Sequence, residues 1–181
     1  VQDATLYLVH ELFKNFGLLV VIPDSKLLKA QFTEVVKREL REEFSAPLVK
    51  STIEQFKAHY KVQTEGRPIN LFYLDEAGQR ERIEREGVRY VVNKLGLSFS
   101  QSEILALADD RPELFSANVI LRPAFQETIL PNIVFLGGGG ELAYWLELKG
   151  VFEAAQIPYP VLLLRNSFLL LSQREQHWQQ K

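Results

Sequence analysis

Cysteine and methionine are both absent from this 181-residue sequence. The first absence excludes disulfides, a cysteine nucleophile and thiolate metal ligation. Histidine is scarce: His10, His59 and His177 are the only imidazoles, and their spacing matches no metal motif, so each is read as surface or structural and no metal is expected. No apolar run approaches the roughly 18 residues of a membrane span, and no signal-peptide pattern is present. A cytoplasmic location with no membrane partner is the expectation. An excess of one charge is missing too: 21 Lys and Arg stand against 23 Asp and Glu, a net charge of −2. The basic residues mix with Glu along the helices, which argues against nucleic acid as a partner. With Val at position 1 and no methionine anywhere, the chain is expected to be a piece of a longer protein.

What is present reads as a folded α/β domain, with 46% apolar and 24% charged residues and length enough for one core plus an insertion. Residues 5–16 carry Leu6, Leu8, Val9, Leu12, Phe13 and Phe16 at helical spacing, closed by Gly17 as a C-terminal cap. The run 18–22 (Leu-Leu-Val-Val-Ile) predicts a buried parallel strand. At its end Asp24 and Ser25 are either a ligand edge or the cap of the next helix. Residues 25–44 are helical, with Leu28, Phe32, Val35, Val36 and Leu40 on one face. Pro47 restarts a helix that runs to about Tyr60. Four short strands at 60–63, 69–74, 80–84 and 89–92, separated by Gly-containing turns, predict an antiparallel meander. Ser100 and Glu103 form a capping-box pair ahead of a helix that Asp110-Arg111-Pro112 ends. A short helix follows within 118–131, with Pro123 near its start.

Four consecutive glycines, Gly137, Gly138, Gly139 and Gly140, join an apolar strand at 131–136 to an amphipathic helix at 141–155. In open α/β folds such a strand–turn–helix junction is where ligands bind. Glycine there permits positive φ and a close approach of ligand to backbone. The next parallel strand is predicted at 161–164, followed by Arg165, Asn166 and Ser167, a second apolar run at 168–171 and a polar tail at 172–181.

Gly138 to Ala143 satisfies the loose pattern G-x-G-x-x-A of dinucleotide sites, but 161–164 ends in Arg165 rather than an acid. That suits an NADP 2′-phosphate at best and motivates an NADP-dependent oxidoreductase as one alternative; a non-catalytic core fragment, kept as a binding or assembly module, is the other. A Walker A loop is excluded, because no Lys follows the glycines. Glu141 suits the positive end of the helix dipole and opposes a phosphate; it either receives an ammonium group or is a plain helix-favouring residue. Arg122, just before Pro123, and Gln126 one turn later lie on the same side of their helix. They are either a carboxylate clamp or a surface charge beside a helix-facing amide. Tyr144 and Trp145 are read as core residues ahead of ligand stackers.

These residues carry a resemblance. Phe115-Ser116, Asn118 to Pro123, Gln126, Leu130-Pro131, then Gly137-Gly138-x-Gly140-Glu141-x-Ala143-Tyr144-Trp145, then Pro160 to Arg165 and Ser167, resemble the BshC family, the cysteine-adding enzymes of bacillithiol biosynthesis. Phe44-Ser45-Ala46-Pro47 and the stretch from Ile69 through Tyr73 to Arg80-Glu81-Arg82 resemble it as well. The resemblance implies a ligase that adds cysteine to the amino group of glucosaminyl-malate. It also implies ATP, with cysteine adenylated or phosphorylated before the amine attacks, and a parent protein dimerised through a coiled coil. In its terms, 1–24 and 98–171 form a partial Rossmann-like parallel core, 25–60 a helical segment and 61–97 a small antiparallel β insertion. Glu141 and Arg122 are then the expected catalytic residues. Gly137 to Gly140, Gln126, Asn118, Tyr144, Arg165 and Ser167 are the expected substrate- or nucleotide-binding set.

Overall fold

Caps and apolar spacing make the first part of the chain helical. The computed structural model describes residues 2–58 and 61–169. His59, Tyr60, the end of the 168–171 run, the tail 172–181 and His177 lie outside the described residues. Helix α1 (Gln2–Phe13) continues as a 3₁₀ turn to Phe16 and stops at Gly17, whose φ of 70° is left-handed. Ser25 caps α2 (Lys26–Ala30), its Oγ accepting the Leu28 N–H at 3.2 Å. The capping role therefore holds for Ser25. The single helix expected over 25–44 is divided at Gln31 and Phe32; α3 (Thr33–Glu42) and α4 (Ser45–Phe56) follow. Phe32, Val36 and Leu40, on the anticipated face, are buried.

The β segment is two sheets rather than one meander. Strands β1 (Leu71–Leu74), β2 (Arg80–Arg82), β3 (Glu84–Glu86), β4 (Arg89–Val92) and β5 (Leu97–Phe99) come in succession. Helix α5 (Gln101–Asp110) and β6 (Phe115–Ala117) come next. The antiparallel orders are β2–β1–β6 and β3–β4–β5. Ile83, buried to 2% exposure, is where the chain leaves one sheet for the other. Residues 61–63 are not a strand. β5 and β6 were not anticipated, since three residues are too few to show a period of two. The capping box on α5 is present: Ser100 Oγ accepts the Glu103 N–H at 3.3 Å, and Glu103 Oε2 accepts the Ser100 N–H at 2.6 Å.

The last part is a β–α–β unit. After α6 (Arg122–Ile129), strand β7 (Val134–Gly137) leads through α7 (Gly139–Leu146) and α8 (Lys149–Ala155) to β8 (Val161–Leu164). β7 and β8 pair in parallel, from Val134 opposite Val161 to Gly137 opposite Leu164. Parallel pairing needs such a crossover, and the two helices provide it. They replace the one helix expected over 141–155.

The α/β content matches expectation; among the described residues β7 and β8 are the parallel pair, and the other strands are antiparallel. The run 18–22 is not a strand, and Leu19 is 70% exposed. A strand exists only where neighbouring backbone supplies hydrogen bonds, and no described strand pairs with this run. The buried core joins Leu40, Leu71, Tyr90, Ile104, Leu121 and Phe152 across helices and sheets. Full burial of a Leu, Ile or Phe contributes about 1.5–3 kcal/mol.

Candidate functional site

The glycine turn lies at the carboxyl end of β7, where parallel α/β units place ligands. None of Gly137, Gly138, Gly139 and Gly140 has a positive φ, so the turn does not use the freedom that glycine permits. Glycine permits that conformation without requiring it. Gly137 is there for space, whereas the neighbour of Gly138 is the tip of an exposed arginine that can move aside. A Cβ on Gly137 would sit 2.6 Å from Phe135 Cε1 and 2.9 Å from Leu142 Cδ2. One on Gly138 would sit 2.9 Å from the Arg165 guanidinium. Gly139 and Gly140, in the first turn of α7, have nothing within 4 Å of the absent Cβ. Backbone there is open to a ligand.

Glu141, the third residue of α7, turns back so that its Oε2 accepts the Gly138 N–H at 2.8 Å. The same oxygen lies 3.5 Å from the Arg165 guanidinium. Glu141 thus caps the helix and is also an anchored carboxylate at the mouth of the turn. The carboxylate occupies the Gly138 N–H, and no lysine follows the glycines. Arg165 is matched by Glu141, which leaves it less suited to a 2′-phosphate.

Arg122, Gln126, Glu141 and Tyr144 line one cavity of about 270 Å³, together with Phe135 and Trp145. Residues from α6 and α7 therefore meet, although they are distant in sequence. Trp145 is 1% exposed and stacks on Phe135 with ring centroids 4.0 Å apart, so it is core, as read. Tyr144 is half-buried, and its hydroxyl lies 3.5 Å from Arg122 Nη2. Arg122 has no carboxylate within 4.0 Å among the described residues.

A second, larger cavity of about 480 Å³ shares Arg122 and Gln126 with the first and extends toward Arg80, Lys29 and Asp24. Sequence reasoning passed over Arg80 and Lys29 as chemistry. Arg80 sits in a short charged strand and Lys29 in a helix rich in Lys, so neither carries a local signal.

Two expected binding residues lie elsewhere. Asn118 is buried; its Nδ2 donates to Asn70 Oδ1 at 2.8 Å and its Oδ1 accepts the Ile120 N–H at 2.8 Å. It lines neither cavity. Ser167 is exposed past the end of β8. Among the described residues no group of three or more His, Cys, Asp or Glu could hold a metal ion, and no helix is long and apolar enough to cross a membrane.

The model of the N-terminal Rossmann-like domain of BshC, of bacillithiol biosynthesis, matches residues 1–166. The chain belongs to this family. Curated relatives carry the name "Putative cysteine ligase BshC". That of Flavobacterium johnsoniae is 47% identical over 96% of this chain and 32% of its own length. That of Cytophaga hutchinsonii is 42% identical over 90% of the chain and 31% of its own length. A Staphylococcus aureus relative (strain MRSA252) is 31% identical over 95% and 32%. This BshC-family chain thus spans about a third of the length of the curated relatives it matches. Both cavities fall within the matched BshC domain.

Proposed function

We propose that this BshC-family chain is part of a ligase that joins the carboxyl of cysteine to the amino group of glucosaminyl-malate. The observation that carries the reading is the meeting of Glu141 and Arg122 in one cavity beside the glycine turn. Amide formation needs an amine freed of its proton and a carboxyl carbon held within reach of it. Glu141, with one oxygen fixed by the Gly138 N–H, would orient the amine and take its proton as the C–N bond forms and the C–O bond to the leaving group of an already activated cysteine carboxyl breaks. Arg122, with no acid of its own, holds an anionic group of the substrate. Gln126, half-buried on the same side of α6, adds an amide donor and acceptor. ATP, implied by the resemblance, stays outside the chemistry assigned to these residues.

Residues 1–24 and 98–171 are proposed as the Rossmann-like core, with 25–60 and 61–97 as inserted helical and antiparallel segments. One face of the β7–β8 pair supports this. Val134, Leu136, Val161 and Leu163 are all exposed on it, whereas parallel sheets of α/β proteins are covered on both faces. The rest of the parent protein, a cytoplasmic homodimer in this proposal, would cover it.

Bacillithiol formation by the full-length protein tests the site. Glu141→Gln and Arg122→Ala are each expected to lower kcat/KM by more than about tenfold, or 1.4 kcal/mol of transition-state stabilisation. Unchanged rates in both variants would discard the assignment.

A further inference from the structure

We propose that Asn118 is a positioning residue for Arg122: it ties the first turn of α6 to the start of β1 and so sets where the guanidinium stands. This rests on the ligase reading in one respect, the substrate-holding role given to Arg122.

Asn118 joins β6 to the turn before α6 and is 5% exposed. All of its polar groups are engaged. Its N–H donates to the Asn70 carbonyl at 3.1 Å, and its own carbonyl accepts the Arg122 N–H at 2.8 Å. Its Nδ2 donates to Asn70 Oδ1 at 2.8 Å, and its Oδ1 accepts the Ile120 N–H at 2.8 Å. The last bond is an Asx turn, which closes the chain toward the helix start. One carboxamide therefore donates to the sheet side and accepts from the turn. An ionised Asp lacks the donor and Leu lacks both groups, so the position demands an amide.

The anchor on the other side is held as firmly. Asn70 is fully buried; its Nδ2 donates to Ser45 Oγ and to the Arg67 carbonyl, each at 2.7 Å, and its N–H donates to Glu39 Oε1 at 2.9 Å. Glu39 belongs to α3 and Ser45 to α4. The bonds thus run from two helices, through Asn70 and Asn118, to the Arg122 backbone. A buried network with every member satisfied rigidifies the elements it joins. Stability alone does not require it, because apolar groups of the same shape can replace a hydrogen-bonded pair at little cost.

Arg122 needs such placing. From Ile120 to Phe125 every other residue is buried, and Arg122 is exposed. Among the described residues its guanidinium meets the Tyr144 hydroxyl only at 3.5 Å. Its reach into the two cavities is therefore set from the backbone of the first helical turn. Misplacing a substrate-holding group by about 1 Å can cost on the order of a hundredfold in rate.

A double-mutant cycle in the full-length protein tests this, with KM read for cysteine and for glucosaminyl-malate. Arg122→Ala is expected to raise KM for one of the two, and Asn118→Ala to raise KM for the same one by more than about threefold. In the Arg122→Ala background Asn118→Ala should add nothing, because the side chain it places is gone. Hydrogen exchange should quicken by more than about tenfold at the Ile120 and Arg122 amides in Asn118→Ala, with the amides of α5 unchanged. Asn118→Ser keeps an acceptor for the Ile120 N–H but is too short to reach Asn70, and should show smaller effects on both readouts; thermal melts verify that the variants are folded. An equal factor in both backgrounds, a fall in kcat with KM unchanged, or unaltered exchange at Ile120 and Arg122 would each overturn the positioning role. Arg122→Ala with both KM values unchanged would overturn the role of Arg122 in the ligase reading, and the exchange rates alone would then decide whether Asn118 fixes the start of α6.

Discussion

Glu39 is fully buried in α3, and its carboxylate accepts four hydrogen bonds. Oε1 takes the Ser45 hydroxyl at 2.7 Å, the Asn70 N–H at 2.9 Å and Asn70 Nδ2 at 3.2 Å; Oε2 takes the Ser45 N–H at 3.2 Å. Burial raises its pKa above the ordinary 4.5, against the opposing pull of those bonds. The folded state therefore binds this proton more tightly than the unfolded chain. The contribution of Glu39 is most favourable below pH 4.5 and is lost as pH rises through its folded pKa. The stability difference between the native protein and Glu39→Gln, from urea unfolding at a series of pH values, should shrink as pH rises; a flat difference would count against this. Glu39→Ala strands the donors of Ser45 and Asn70 and should cost about 3 kcal/mol. The same network explains Asn118. In sequence it stands four residues before Arg122 and looks like a ligand group, but Asn70, from the other side of the β segment, claims its amide.

At the scale of elements, the turn into α7 separates two uses of glycine. Gly140→Ala puts a Cβ into open space inside a helix, and should raise stability by about 0.5–1 kcal/mol. If substrate lies against that backbone, KM should rise at the same time, so thermal melts and steady-state kinetics are read together. Gly137→Ala instead drives a Cβ to 2.6 Å from the Phe135 ring, which Trp145 backs, and should cost about 1–3 kcal/mol. The strand–turn–helix order, the Ser25 and Ser100 caps and the stop at Gly17 were legible in the sequence, because each is decided within a few residues. The division of α7 from α8 was not. It lies at Glu147, which is 3% exposed and accepts the Gln63 N–H at 3.0 Å, a contact that no local periodicity reports.

For the whole molecule, the decisive feature is apolar surface left bare. Leu136, Val161 and Leu163 are 64%, 58% and 47% exposed, and Leu19 is 70% exposed. Adjacent apolar side chains such as Leu136, Val161 and Leu163 on the β7–β8 pair mark a surface that something else covers. The 181-residue chain in isolation is expected to bind the dye ANS and to form species larger than a dimer in sedimentation velocity, and the full-length homodimer to do neither. Leu19→Lys with Leu163→Lys should reduce both signals in the isolated chain. Equal dye binding by the two forms would show that the face stays uncovered in the parent.

The sequence by itself determined the helix caps and apolar faces, the β–α–β order around the glycines and the meeting point at their turn. These depend on spacing and backbone chemistry over one or two turns. Only the tertiary structure decided that 18–22 is not a strand, that Asn118 is a buried structural amide and that Arg80 stands with Arg122 across one cavity. The first follows from the lack of a pairing strand among the described residues, and the other two from groups distant in the chain, none of which a linear pattern carries.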